Sequence, residues 1–222
     1  MNQFQGSPFT GYAPPLARTT LNQVLSLLGL AALFTAGGAF AAPYLGGGAF
    51  LIGLIGGLVS LLILTFIREH APWNLIFLFL FASLEGLVLG GVLQNYLAAG
   101  LGDLVLAAAS ATGVVVLVAG GIGYTTKRNL AGLGGFLFIG LLVVILAGVV
   151  GLFVHLTVLE IGISAAAALL FTGFLVFDLN RIARTPAVSQ GTAIMLAVSV
   201  YLDIFNLFLN ILNLLGFASR RG

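Results

Sequence analysis

Two aspartates stand out in this 222-residue chain because they interrupt long apolar runs. Asp203 is in the middle of VSVYLDIFNLFLNILNLLG, and Asp178 closes the preceding apolar run in GFLVFDLNRIAR. A carboxylate near the centre of a bilayer is costly to bury, and acids at such depths usually mark an ion or proton pathway. The two residues therefore predict a buried acidic site.

The depths of the two aspartates predict that they touch. If the sixth helix continues to Arg184 and Pro186 stops it, Asp178 lies about 9 Å inside that end. If the seventh helix starts near Gly191, Asp203 lies about 18 Å in from the same side. Helices joined by a short loop are usually antiparallel neighbours, and helix tilt and side-chain length can absorb the remaining offset.

A carboxylate pair in a low-dielectric site has a distinct chemistry. Two carboxylates in contact cannot both ionise easily, so they share a proton. With both members ionised, the pair can bind a hard cation such as calcium. Asp178 and Asp203 are therefore predicted to form a pH sensor in an ion pathway and to bind calcium transiently. The alternative is that Asp178 is a helix-end residue paired with Arg181 or Arg184.

Polar residues continue along the last apolar run. Ser199, Asp203, Asn206, Asn210 and Asn213 recur at steps of four, three, four and three, so they share one helix face. Lipid cannot satisfy polar groups, so this face is predicted to point inward and to line a cavity. The alternative for the asparagines is that they only hydrogen-bond neighbouring helices.

Two further charged residues have a predicted place near the pair. Glu85, in FASLEGLVLGGVL, lies about 18 Å from one end of its span, at a depth similar to that of Asp203. It either lines the same cavity or stays protonated as a hydrogen-bond donor. Arg68 ends the second apolar run, where it either reaches inward to Asp178 as a latch or only sets the topology.

The composition indicates an integral membrane protein. Hydrophobic residues make up 60% of the chain and charged residues 6%, whereas a soluble domain is typically about one quarter charged. The net charge of +2 is too small to indicate a nucleic-acid partner, and the absence of cysteine excludes disulfides and thiolate metal sites.

Seven segments are long and apolar enough to cross the hydrocarbon core, which takes about 20 residues. They cover 21–42, 49–67, 73–93, 103–123, 132–154, 157–177 and 191–215. The sixth segment either ends at 177 or continues to 184. The loops are too short for another domain, so we predict one all-α transmembrane domain over 21–216. A polar tail at 1–20 precedes it, and a short tail at 217–222 follows it.

Small residues predict where helices pack closely, and basic residues predict the orientation of the chain in the membrane. The pairs Gly53/Gly57 and Ala147/Gly151 favour close helix approach. If the seven spans alternate, only Arg220 and Arg221 fall on the side opposite to the other basic residues, which predicts a cytoplasmic N-terminus and a C-terminus outside. The residues on the cytoplasmic side would be Arg18, Arg68, Lys127, Arg128, Arg181 and Arg184.

The sequence does not predict an enzyme. Both histidines, His70 and His155, lie at span ends, and no HExxH motif is present. There is no Gly-x-Ser-x-Gly setting with an intramembrane histidine, as a rhomboid-type protease needs. The last span has no lysine for a retinal Schiff base, and no cofactor is expected apart from calcium as a transported ion.

Around the two aspartates the chain resembles the Bax inhibitor-1 family, also called the transmembrane Bax inhibitor motif family. The segments GFLVFDLNRI, SVYLDIFNLFLNILNLLG and LEGLVLGGVL carry this resemblance, and the size and the seven predicted spans agree with it. It implies a seven-helix fold whose last helix is surrounded by the other six. It also implies that Asp178 and Asp203 are the pH sensor of a calcium leak. Arg68 resembles the arginine that latches the aspartate of helix six in the closed pore.

The resemblance sets the functional expectations. The short C-terminal tail and the excess of arginine over lysine are similar to a bacterial member, which implies the bacterial inner (plasma) membrane. The first expectation is a pH-sensitive calcium leak channel gated by protonation of the aspartate pair. The alternatives are a non-conducting regulator that binds a membrane protease or another membrane protein, and a proton-coupled calcium exchanger. A monomer in contact with membrane lipids, calcium and protons is expected.

Overall fold

The computed structural model describes residues 20–151, 153–154 and 156–219. Within these ranges the chain forms seven α-helices, one short 3-10 helix at Gly46–Gly48 and no strand, so the all-α prediction is confirmed. Of the predicted tail at residues 1–20, Thr20 begins the first helix. Residues 1–19, which include Arg18, and His155, Arg220 and Arg221 lie outside the described residues. The helices are α1 (Thr20–Leu45), α2 (Ala49–Ile67), α3 (Trp73–Ala98), α4 (Gly102–Thr125), α5 (Ala131–Gly151), α6 (Thr157–Arg184) and α7 (Gln190–Ser219).

Local chemistry explains where the helices end. Each helix coincides with an apolar run, since a backbone in lipid must satisfy its polar groups internally. Gly46 and Gly100 adopt positive φ values of 65° and 73°, in the left-handed region that ends helices. Thr185 is extended before Pro186, as the residue preceding a proline usually is, and α6 therefore continues to Arg184.

Several predicted boundaries are wrong. The first and third helices were predicted to end at residues 42 and 93, but they end at Leu45 and Ala98. The fifth helix was predicted to run to residue 154, but it ends at Gly151, and residues 153–154 are not helical. Glycine is a poor helix former, and α5 carries Gly148 and Gly151 at this end. Residues 217–219, predicted as tail, belong to α7, because FAS continues a helix that nothing interrupts.

Length and apolarity give six candidate membrane spans, whereas the sequence analysis predicts seven. The difference arises because α1, the 3-10 helix and α2 form one helical stretch of 48 residues, Thr20–Ile67. A helix of that length would be about 72 Å long, more than twice the roughly 30 Å hydrocarbon core. The direction in which each half runs along α3 therefore decides whether the stretch is one continuous helix or two helices that run in opposite directions.

The first half of this stretch runs parallel to α3. Gly38 packs on the carbonyl group of Ser83, and Ala42, one turn later in α1, packs on Gly90. Contacts thus advance along α1 and α3 in the same direction.

The second half runs antiparallel to α3. Gly53, near the start of α2, packs beside Val88, whereas the Ser60 hydroxyl donates to the carbonyl oxygen of Phe77 at 3.1 Å. The chain therefore reverses direction between α1 and α2, at the Gly46–Gly48 turn.

Glycines bring α2 and α3 close together. A Cβ atom placed on Gly53 would lie 2.6 Å from the carbonyl oxygen of Leu84, and one on Gly57 would lie 3.0 Å from Oε1 of Glu85. The predicted close approach at this pair of glycines is confirmed.

The second small-residue pair does not mediate such an approach. A Cβ atom on Gly151 would meet Cδ1 of Ile163 at 3.7 Å, an ordinary van der Waals distance. Among the residues of α5, only Leu137 is buried, so this helix packs loosely on the bundle.

α7 is the most buried helix. Half of its most apolar window lies inside the protein, the largest share among the candidate spans. It packs directly against α1, α3, α4 and α6, whereas α2 and α5 meet it along cavities. Polar residues on α7 are therefore held away from lipid on most sides.

Replacing Gly53 with alanine is expected to destabilise the protein, because the new methyl group would overlap the Leu84 carbonyl. Overpacking of this kind typically costs about 1–3 kcal/mol. The free energy of unfolding of the purified protein in detergent measures the effect. Gly37→Ala is the matched control, since nothing lies within 4 Å of an added Cβ there. Equal stability of the two variants would contradict the close α2–α3 packing.

Candidate functional site

The structure brings the two aspartates together between α6 and α7. Asp178 is 2% exposed and Asp203 is 5% exposed, and their carboxyl groups lie within hydrogen-bonding reach of each other. The hydroxyl group of Ser199, one turn before Asp203, donates a hydrogen bond to Oδ2 of Asp178. Two carboxyl groups in contact at this burial are compatible only when a proton is shared between them.

The basic residues at the end of α6 do not form ion pairs with Asp178. The charge of Arg181, one turn further along α6, acts on the Asp178 carboxyl from an exposed position. Arg184 donates to the carbonyl oxygens of Thr126 and Lys127 instead. Within the described ranges, the one ion pair closer than 4.0 Å is that of Arg68 with Glu69.

Two cavities approach the aspartates from opposite ends of α7. The first, which we call the basic-end cavity, has a volume of about 520 Å³, lies between α2, α6 and α7, and is lined by Arg68 and Arg181 among others. The second, which we call the asparagine cavity, also has a volume of about 520 Å³ and lies between α5, α6 and α7. Ser199 and Leu202 line both cavities. These two side chains therefore separate the cavities beside the aspartate pair.

Most of the predicted polar face of α7 lines the asparagine cavity. Ser199, Asp203, Asn206 and Asn210 contribute to its wall. The prediction that the whole face points inward is wrong at Asn213, which is exposed. Asn213 lies beyond the cavity near the end of α7, where a polar side chain can reach the membrane interface.

The asparagines bond within their own helix. The Nδ2 atom of Asn206 donates to the carbonyl oxygen of Leu202 at 2.8 Å, and Nδ2 of Asn210 donates to that of Asn206 at 2.8 Å. The alternative prediction, that these amides hydrogen-bond neighbouring helices, is wrong for the bonds that the structure describes. The four-residue spacing allows each amide to reach the preceding turn of its own helix.

Glu85 lies on another side of α7. Its carboxyl group is beside Gly57 of α2, and its charge acts on Tyr201, whose hydroxyl is 2.7 Å from that of Thr35. Glu85 does not contribute to the wall of the asparagine cavity. The structure therefore does not bring it to Asp203.

Arg68 is at the mouth of the basic-end cavity. About half of its side chain is exposed, and its Nε atom is 3.9 Å from Oε1 of Glu69. It shares the cavity wall with Ser199 but makes no described ion pair with Asp178. The latch between Arg68 and Asp178 stays a prediction about another conformation.

The acidic side chains alone do not form a closed metal site. Among residues 20–151, 153–154 and 156–219, no three His, Cys, Asp or Glu side chains are grouped so that they could hold a metal ion. Calcium usually takes about six to eight oxygen ligands, and the aspartate pair provides four. Transient calcium binding at Asp178 and Asp203 therefore needs water or carbonyl ligands in addition and stays a prediction.

Asn180 has a structural role that the sequence analysis missed. It is 2% exposed, and its Nδ2 atom donates to the carbonyl oxygens of Gly123 at 3.0 Å and Thr126 at 2.9 Å. Its Oδ1 atom accepts a bond from the backbone N–H of Leu130 at 3.2 Å. This amide ties the α4–α5 loop to α6 two residues beyond Asp178. The signal in the sequence was an uncharged amide two residues after Asp178 and directly before Arg181.

Comparison with known proteins bears on the identity of this site. A family model described as "Inhibitor of apoptosis-promoting Bax1" matches residues 17–220. The chain belongs to the Bax inhibitor-1 family. The resemblance predicted from the segments around the two aspartates is thereby confirmed.

Relatives within the Bax inhibitor-1 family come from bacteria and animals. The chain is 33% identical over 164 residues to the "Modulator of FtsH protease YccA" of Escherichia coli K12, which covers 74% of each protein. It is 38% identical over 144 residues to an "Uncharacterized membrane protein" of Vibrio cholerae, covering 64% of this chain and 63% of that protein. It is 31% identical over 160 residues to mouse "Protein lifeguard 4", covering 71% of this chain and 64% of that protein. The first of these names describes a modulator of a protease, and the second describes a membrane protein.

Replacing Ser199 with alanine is expected to lower the free energy of unfolding by about 1–3 kcal/mol, because a buried carboxyl oxygen of Asp178 loses its donor. Unfolding of the purified protein in detergent measures the change. Ser110→Ala is the control, since that hydroxyl is exposed and donates only to the Leu106 carbonyl of its own helix. Identical losses in the two variants would show that Ser199 does not support the aspartate pair.

Proposed function

We propose that this protein is a regulator in the bacterial inner membrane that binds a membrane-bound protease. The observation that carries the proposal is the relative named "Modulator of FtsH protease YccA", which is 33% identical over 74% of both chains. A second relative at the same identity is named "Inner membrane protein YccA", which supports the location. The comparisons support this function better than they support calcium conduction.

The proposed orientation has seven separate crossings with the N-terminus in the cytoplasm. The reversal of direction between α1 and α2 supports two crossings in the stretch Thr20–Ile67. All five described Lys and Arg residues cluster at one end of the bundle, since Arg68 and Arg181 line one cavity, and Arg184 contacts the loop that carries Lys127 and Arg128. Basic residues concentrate on the cytoplasmic side of bacterial membrane proteins.

Co-purification tests the regulatory function. The full-length protein, expressed with an FtsH-type protease in bacterial membranes, is expected to co-purify with the protease and to slow its degradation of a membrane substrate. A variant that lacks residues 1–19 tests whether the polar N-terminal segment makes the contact. If the full-length protein neither co-purifies with the protease nor changes the degradation rate, the proposal is wrong.

A second function, a proton-sensitive calcium leak, has support from the site itself. The basic-end cavity and the asparagine cavity approach the aspartate pair from opposite ends and share Ser199 and Leu202. A change in the number of protons on the aspartate pair changes the charge at the point where Ser199 and Leu202 separate the two cavities. In a low-dielectric interior, such a change acts strongly on neighbouring helices. This arrangement supports a closed pathway whose opening depends on protonation.

Calcium flux into liposomes tests this second function. Wild-type flux is expected to change with pH, whereas Asp203→Asn is expected to remove the pH dependence, because an amide beside Asp178 replaces the shared proton with a fixed donor. Asp103→Asn, at the exposed start of α4, is the control and should behave as wild type.

The same measurement separates a leak from an exchanger. An exchanger would move protons in a fixed ratio to calcium when a proton gradient is imposed. Wild-type flux that does not respond to pH, or Asp203→Asn flux that keeps the wild-type response, would rule out gating by the pair.

A further inference from the structure

The asparagine cavity has one polar wall and two apolar walls. Its apolar walls come from α5 and α6, with residues such as Val144, Ile163 and Phe171. Its polar wall is the face of α7 that carries Asp203 and its neighbouring asparagines. The volume of about 520 Å³ falls within the range of small-ligand pockets, roughly 300–1,000 Å³. The cavity therefore has the size and the polarity of an amphiphile site.

The polar wall offers hydrogen-bond acceptors, and one of the two N–H donors of each asparagine amide is engaged within α7. The Nδ2 atoms of Asn206 and Asn210 donate to backbone carbonyls of α7. A carbonyl oxygen only accepts, so the amide nitrogen must be the atom facing it, and each Oδ1 remains as an acceptor. The proton of the Ser199 hydroxyl is donated to Asp178. Oδ2 of Asp203 is buried and accepts no hydrogen bond from any described residue.

The asparagine cavity continues toward lipid. A third cavity, which is apolar and has a volume of about 530 Å³, lies between α5 and α6. It shares Val144 and Ile163 with the asparagine cavity. Side chains on its wall are exposed on the outer surface of the bundle, such as Val143 at 60% and Val158 at 76%. α5 packs closely on α6 alone among the described helices. A hydrocarbon chain therefore has an apolar path from the bilayer to the acceptors on α7.

We propose that the asparagine cavity binds a long-chain amphiphile whose head group donates hydrogen bonds, such as the hydroxyl groups of a monoacylglycerol. The hydroxyl protons bond the Oδ1 atoms of Asn206 and Asn210, the hydroxyl oxygens accept from the second N–H of these amides, and the chain leaves between α5 and α6. A carboxylate or phosphate head is disfavoured, because it would bring a negative charge to the wall that carries Asp203 and no proton for the asparagine Oδ1 atoms. A hydrated cation satisfies the acceptors but leaves the apolar walls uncovered.

This site shares the asparagine cavity with the proposed calcium leak, but its test needs neither protease nor ion flux. The full-length protein in phospholipid nanodiscs is photolabelled with a monoacylglycerol that carries a diazirine in its acyl chain. Labelled peptides are expected from α5 and α6. Unlabelled mono-oleoylglycerol is expected to compete at least about fivefold better than its di-O-methyl ether, the ratio that one hydrogen bond provides.

Matched variants locate the site. Gly148→Leu fills the asparagine cavity without a clash, since Gly148 lines it and an added Cβ meets nothing within 4 Å. Its labelling is expected to fall at least about fivefold. Gly135→Leu on the same helix has the same open surroundings, lies outside the cavity wall and should label as wild type.

Recognition of the head group has its own variant. Asn206→Leu removes one acceptor, so the difference between the diol and the diether competitor is expected to shrink toward unity while labelling by the acyl chain persists. Equal competition by the two compounds against wild type would overturn the proposal, as would Gly148→Leu labelling that matches that of Gly135→Leu.

Discussion

The contact between two buried carboxyl groups constrains the rest of this bundle. Asp178 and Asp203 are both withdrawn from solvent and meet across α6 and α7. An isolated charge at such a position would be far more costly than a shared proton between two acids. Ser199 supplies a further donor to the pair from α7. The fold must therefore hold α6 against α7 in one register, since a shift of a single turn would separate the two acids and leave each without a partner.

The tightness of helix packing varies around this fixed pair. α1, α2 and α3 pack closely through small residues such as Gly38, Gly53 and Gly90, where backbones approach each other directly. α5 contributes a single buried residue, Leu137. The gaps that remain beside α7 are the basic-end cavity and the asparagine cavity, and they adjoin where the aspartates meet. The two acids therefore lie between two parts of the bundle. On one part α1, α2 and α3 are closely packed, and on the other α5 covers α7 loosely and leaves cavities.

The chemical character of the asparagine cavity depends on which atoms of its asparagines are already hydrogen-bonded. Membrane helices often use asparagine to bond across helices, but Asn206 and Asn210 direct their amide nitrogens to their own backbone. This leaves the Oδ1 atoms and one N–H of each amide on the wall that Asp203 shares. The chain belongs to the Bax inhibitor-1 family and is similar to a protein named as a protease modulator. The Oδ1 atoms on this wall are the acceptors on which the proposed amphiphile site depends.

Several features followed from the sequence because they depend on local chemistry. Apolar runs gave the helices, since a backbone in lipid has no other partner, and Pro186 marked the end of α6. The depths of Asp178 and Asp203 along their helices were enough to predict that these side chains meet. The approach of Gly53 to α3 followed from the absence of a side chain. Each of these depends on one residue, on one short segment or, for the two aspartates, on two helices joined by a short loop.

Other features were decided by the tertiary structure, because they depend on which surfaces are left over after packing. Three features follow from where neighbouring helices end and where gaps remain. They are the exposure of Asn213, the position of Glu85 away from Asp203, and the pairing of Arg68 with Glu69. Helical periodicity assigns a residue to a face of its own helix, but it does not say what covers that face. Thus the sequence by itself determined the helices and the meeting of the two acids, whereas the arrangement of seven helices determined the cavities beside them and which polar atoms they leave free.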